Sequence, residues 1–99
     1  MQVFLKNDII FSGQFEGQDE SGSVNFIRND SLQSIDASAI EKIVLSTNDF
    51  YLGTFYMSKK NREFVIPLKN GSQVNGKIVK KYPKGIIKVI TSSGLVNID

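Results

Sequence analysis

The chain has 99 residues, 40% of them apolar and 22% charged, with a formal net charge of +2. That is the composition of one small globular domain, or of two very small units sharing a core. Cys, His and Trp are all absent, which excludes disulfides, thiolate or imidazole metal sites and every nucleophile–His arrangement. No apolar run approaches the roughly 18–20 residues of a membrane span. The opening residues Met1-Gln2-Val3-Phe4-Leu5-Lys6-Asn7-Asp8 lack the basic and apolar regions of a secretory signal. A soluble, cytoplasmic protein is the expectation, and the lack of cysteine agrees with a reducing compartment.

In chain order the elements read as strands. Val3 and Leu5 alternate with Phe4 and Lys6, and Asn7-Asp8 marks a turn. Ile9–Gln18 is a second strand with Gly13 at its centre, where a glycine signals a bend or a close backbone approach. Glu20-Ser21-Gly22-Ser23 is a loop, Val24–Arg28 a third strand, Asn29-Asp30 a tight turn and Leu32–Ile35 a fourth strand. Ser38-x-x-Glu41 matches a capping box, with Ile40, Ile43 and Val44 at helical spacing. The run Ile43-Val44-Leu45 is nonetheless β-prone, so a single turn over Asp36–Ala39 and a fifth strand over Ile40–Leu45 are expected. Asn48–Met57, with Phe50, Tyr51, Phe55 and Tyr56, reads as a strand, and Ser58–Arg62 as a polar, basic turn. Val65–Leu68 leads into the hairpin signal Asn70-Gly71. Ser72–Tyr82 bends at Gly76, Pro83-Lys84-Gly85 turns, and Ile86–Ser92 and Gly94–Ile98 close the series. Pro67 cannot donate to a ladder, so its strand is an edge or is paired on one side there.

The chain is also written twice. Shifted by 63 positions, Leu5–Asp36 aligns without a gap on Leu68–Asp99, through Leu5/Leu68, Lys6/Lys69, Asn7/Asn70, Gly13/Gly76, Gly22/Gly85, Ile27/Ile90, Leu32/Leu95, Ile35/Ile98 and Asp36/Asp99. Other positions exchange one apolar residue for another, as in Phe15/Ile78, Val24/Ile87 and Phe26/Val89. A duplication follows, with residues 1–47 as copy one and 48–99 as copy two, side by side or intertwined in one domain. Copy two stops at the position where copy one enters its fifth strand. The exposed edge this leaves is expected to be covered by Tyr51–Met57 or by a neighbouring subunit.

Three stretches carry a family resemblance: Val3-Phe4-Leu5-Lys6-Asn7-Asp8, then Ser12-Gly13-Gln14-Phe15-Glu16-Gly17-Gln18-Asp19, and the closing Ala39-Ile40-Glu41-Lys42-Ile43-Val44. Together they resemble an Sm-like domain, the family of Sm and LSm proteins and the bacterial RNA chaperone Hfq. Leu68-Lys69-Asn70-Gly71 and Gly76-Lys77-Ile78 repeat the first part. The resemblance implies an all-β, Sm-like or SH3-like small barrel built on strongly bent strands, with little or no helix. It also implies a homo-oligomeric ring that binds RNA or single-stranded nucleic acid without chemistry. A trimer of duplicated chains would give six barrels. The chain departs from the family in having Ser34-Ile35-Asp36-Ala37 where Hfq has a basic-histidine motif, and in representing the Sm Asp and Asn only by Asp19 and Asn25.

Charge is divided between the copies. Residues 1–49 carry three basic and eight acidic side chains, and residues 50–99 carry nine basic and two acidic ones. The basic stretch Lys77, Lys80, Lys81, Lys84 and Lys88, with Tyr82 among them, is expected to track phosphates, Tyr82 stacking on a base and Asn25 lining a base pocket. Two other readings stay open. Acidic copy one could dock head-to-tail on basic copy two of a neighbour, as in an assembly module or a phage or particle adaptor that binds no nucleic acid. The lysines could also simply solvate a surface. No catalytic residue, metal or cofactor is expected, because no convergent pair of acid, base or nucleophile stands out.

Overall fold

The period-2 pattern becomes antiparallel strands nearly throughout. The computed structural model describes residues 1–47, 50–82 and 86–98, with residues 47, 50 and 51 described by their backbone alone. In chain order the strands are β1 (Gln2–Leu5), β2 (Ile10–Ser12), β3 (Gln14–Gln18), β4 (Val24–Arg28), β5 (Ser31–Ile35), β6 (Ile40–Thr47), β7 (Phe50–Met57), β8 (Phe64–Pro67), β9 (Gln73–Lys81), β10 (Ile87–Thr91) and β11 (Gly94–Ile98). Between β5 and β6 a one-turn 3-10 helix covers Ala37–Ala39, its start capped by the Asp36 carboxylate, which accepts from the Ser38 N–H at 2.9 Å. Among the described residues there is no α-helix, and no helix long and apolar enough to cross a membrane.

Turn chemistry sets the corners. Asn29 and Asp30 both take positive φ (53° and 62°), the geometry a two-residue hairpin needs. Asn70 accepts from the Ser72 N–H at 3.0 Å, while Gly71 takes φ +88°. The long second strand of copy one breaks at Gly13 into β2 and β3, whereas its counterpart β9 runs unbroken through Gly76. At both glycines the neighbouring strand leaves no room for a side chain. A Cβ on Gly13 would sit 2.8 Å from the Phe26 ring, and one on Gly76 would overlap the Val89 side chain.

Two sheets result. One has eight strands in the order β11-β10-β9-β8-β7-β6-β1-β2, and the other has three in the order β3-β4-β5. The small barrel that the resemblance implies is not closed: the strands form two separate sheets. The ladder is interrupted at Gly13, and β6 and β7 pair with each other, joining β1 and β2 of copy one to copy two in one open sheet while β3, β4 and β5 form the other.

The registers themselves repeat. Val3 faces Phe11 as Ile66 faces Val74; Phe15 faces Phe26 as Ile78 faces Val89; Ile27 faces Leu32 as Ile90 faces Leu95. Each of these correspondences is an offset of 63 residues, the offset of the sequence alignment. Even the bulge recurs, after Phe15 in β3 and after Ile78 in β9.

The fifth strand of copy two is β7, which comes before that copy's first strand, β8, in the chain. Gln2 pairs with Val44 on β6, and Val65, 63 residues after Gln2, pairs with Tyr56 on β7. On either side of the Ile43–Phe55 pair stand Lys42–Tyr56 and Val44–Thr54. An approximate two-fold relation between the copies therefore passes through Ile43 and Phe55. Segment 51–57 thus covers β8 from within the chain, through Tyr56–Val65 and Met57–Phe64. Pro67 pairs only with Gln73 of β9.

One apolar core serves both copies. Val3, Phe15 and Val24 are buried together with their 63-residue counterparts Ile66, Ile78 and Ile87, and Ile40, Ile43, Leu45 and Phe55 come from the central hairpin. Where the copies cross, β3 lies against β9. Gln18, buried on β3, accepts the Ile78 N–H at 2.7 Å and donates to the Gly22 carbonyl at 2.8 Å.

Candidate nucleic-acid interface

Paired residues of a ladder share a face, so registers assign each lysine to a side of the sheet. The row Lys80–Lys88–Asn97 and the row Lys77–Ile90–Leu95 lie on the outer face of β9, β10 and β11. The row Ile78–Val89–Val96 lies on the inner face, as does Lys81–Ile87–Ile98. The bulge after Ile78 resets the alternation, so that Lys80 faces out and Lys81 faces in.

Lys80 stands directly opposite Lys88. Its ammonium lies 5.0 Å from the centre of the Tyr82 ring, a cation–π contact. The Tyr82 N–H bonds to the Ile86 carbonyl at 2.8 Å, which holds the tyrosine at the end of the ribbon. Among the described residues no carboxylate lies within ion-pair distance of Lys80 or Lys88. These three residues form a compact positive site with an aromatic ring beside it.

The other expected residues are placed differently. Lys77 shares the outer face, but its Nζ donates to the Glu20 carbonyl at 2.5 Å. Lys81 reaches inward and donates to the partly buried Ser46 carbonyl at 2.7 Å. Both tie copy two to copy one, and Lys81 is removed from the outer surface. Asn25 is half-buried on β4, opposite Gly17 and Ser34, at the position equivalent to Lys88 in the other copy. No hydrogen bond joins it to the lysines among the described residues. Lys84 lies outside the described residues, as does Asp99. The Asp19 carboxylate is spent on its own loop, accepting from the Ser21 hydroxyl at 2.6 Å and the Ser23 N–H at 3.1 Å. The Ser21 hydroxyl is the largest of the influences holding its pKa below the ordinary carboxylate value.

Arg62 was not singled out by the sequence reading, although it ends the basic turn Ser58–Arg62. Its guanidinium donates to the Glu20 carbonyl at 3.3 Å, the oxygen that Lys77 also reaches. Lys60, Arg62, Glu63 and Lys77 line a concavity of about 240 Å³ there. A second groove of about 460 Å³ runs from Lys60 past Gln73 and Asn75 to Thr91 and Ser93. Positive and hydrogen-bonding groups therefore extend along β9 in both directions from Lys77.

No family model, curated protein or solved structure matches the chain.

Proposed function

We propose that the protein is a non-catalytic binding module that takes RNA or other single-stranded nucleic acid on the outer face of β9 and β10. The observation that carries this reading is the Lys80–Lys88 pair. Like charges directly opposite on a ladder destabilise it, and here no acidic partner among the described residues relieves them. A phosphate between the two ammonium groups would turn that repulsion into attraction, and Tyr82 offers a ring for an adjacent base. The excess of basic side chains over residues 50–99 adds a field of the same sign.

The Sm-like resemblance supports the same reading. In both copies a glycine stands in the second-strand region, and a further strand pairs beside the copy's first strand, β6 on β1 and β7 on β8. The pairing of β6 with β7 uses up the fifth-strand edges that family rings are built on, so any self-association runs through other edges.

The test is fluorescence polarisation with labelled U-rich and A-rich oligonucleotides across a salt series. The expected result is an affinity whose logarithm falls linearly with the logarithm of salt concentration. In the Lys80→Gln/Lys88→Gln double variant the slope drops by about two. No binding at low salt, or an unchanged slope in the double variant, overturns the reading.

A further inference from the structure

Two strand edges are left open at corresponding places. Among the described residues β5 pairs only with β4 and β11 only with β10, and the two are related by the 63-residue offset. Stable monomers blunt such edges with charge, proline, a bulge or brevity. Neither strand has any of these: Ser31-Leu32-Gln33-Ser34-Ile35 and Gly94-Leu95-Val96-Asn97-Ile98 are each five residues long, uncharged and free of proline. Their ladders run without a register shift. Leu32 is 71% exposed and Leu95 57%. Leu95 continues onto Ile90, which is itself exposed on β10, so the open edge is backed by an apolar row. By contrast, β2 is only three residues long, and β3 lies against β9.

Charge decides which edge fits which. Asp30 and Asp36 flank β5 in the acidic copy. Lys88 faces Asn97 on β11, and Lys69 lines a groove with Val96 and Ile98 in the basic copy. Arg28 faces Ser31 at the start of β5, and Asp99 follows β11 in sequence as Asp36 follows β5, so the edges differ in net sign, acidic at β5 and basic at β11, and pairing unlike edges sets net acid against net base. We propose that β5 of one chain pairs with β11 of a second copy, continuing the sheet head to tail. Each chain offers both edges, so the contact propagates into a ring or a filament.

This inference is independent of nucleic-acid binding, and the experiment keeps the two apart: sedimentation equilibrium on nucleic-acid-free protein, with Leu32→Lys and Leu95→Lys variants. Both leucines are exposed, so far-UV circular dichroism and urea midpoints should match the parent. The parent is expected to form species larger than a dimer as concentration rises, and to dissociate as salt rises. Each variant alone is monomeric, yet an equimolar mixture forms a one-to-one dimer, because one partner keeps an intact β11 and the other an intact β5. A parent that stays monomeric up to about 1 mM overturns the proposal. So does a single variant that dimerises alone, which is the signature of like edges pairing. Polarisation measured on the monomeric Leu32→Lys variant, whose substitution lies on the other sheet, reports nucleic-acid binding separately.

Discussion

Gln18 and Lys81, equivalent positions in the two copies, each fasten their own copy to the other: Gln18 accepts the Ile78 N–H, and Lys81 donates to the Ser46 carbonyl, both at 2.7 Å. The two ties differ in burial. Gln18 is 6% exposed and also satisfies the Gly22 carbonyl. Gln18→Leu strands two backbone groups and is expected to cost about 2–4 kcal/mol. Lys81→Met frees one carbonyl with partial access to water and costs about 1 kcal/mol. Urea unfolding of the two variants checks the order, and equal losses would contradict it.

Two glycines with positive φ separate backbone strain from steric overlap. Gly71 (φ +88°) faces open space, whereas a Cβ on Gly17 (φ +110°) would run into the Val79 carbonyl at the crossing of the copies. Gly71→Ala should cost about 1 kcal/mol, for the backbone alone. Gly17→Ala should cost about 3 kcal/mol or more, because the β3–β9 crossing must also open. Thermal unfolding distinguishes the two.

Acid should weaken the fold through its loops. The Asp19 carboxyl is held below its ordinary value chiefly by the Ser21 hydroxyl, and Asp36 chiefly by the Ser38 N–H, with the Ser38 hydroxyl adding to it. A carboxyl with a pKa lower in the folded state binds fewer protons there than when unfolded. Its contribution is therefore present above the ordinary pKa and disappears as pH falls through the folded value. The urea midpoint should hold steady from pH 7 to about 5 and drop below about 4. Asp19→Asn and Asp36→Asn should each make that drop shallower.

The Lys80–Lys88 opposition predicts a trade between stability and binding. Lys88→Glu replaces repulsion with attraction and should raise stability by about 0.5–1 kcal/mol. The same change should weaken oligonucleotide binding and flatten its salt dependence. Paired measurements of urea midpoint and polarisation decide the matter. A variant that loses both stability and affinity would mean that Lys88 serves the fold.

The strands and turns were legible because alternation, Asn-Asp and Asn-Gly are local signals, and the repeat fixed which pairs would recur. The β6–β7 partnership was not legible, since residues 37–67 fall between the aligned stretches and a strand's chemistry does not name its partner. Pro67 did carry its message: its ladder is one-sided, and β7 reaches only as far as Ile66's predecessor, Val65. The candidate site was half legible. Lysine density marked β9 and β10, but which lysine faces outward depends on a single bulge that exchanges the faces of Lys80 and Lys81. Arg62, one cation in a turn, belongs to no periodic pattern.

The central hairpin gives the copies different folding routes. Copy one is closed when Leu5 meets Ile40 across nearly its whole length, whereas copy two is closed when Met57 meets Phe64 across a six-residue turn. Loop-closure entropy rises with the span to be joined, and local pairings are reached sooner. The later part of the sequence should thus form the folding nucleus, on which the earlier part then condenses.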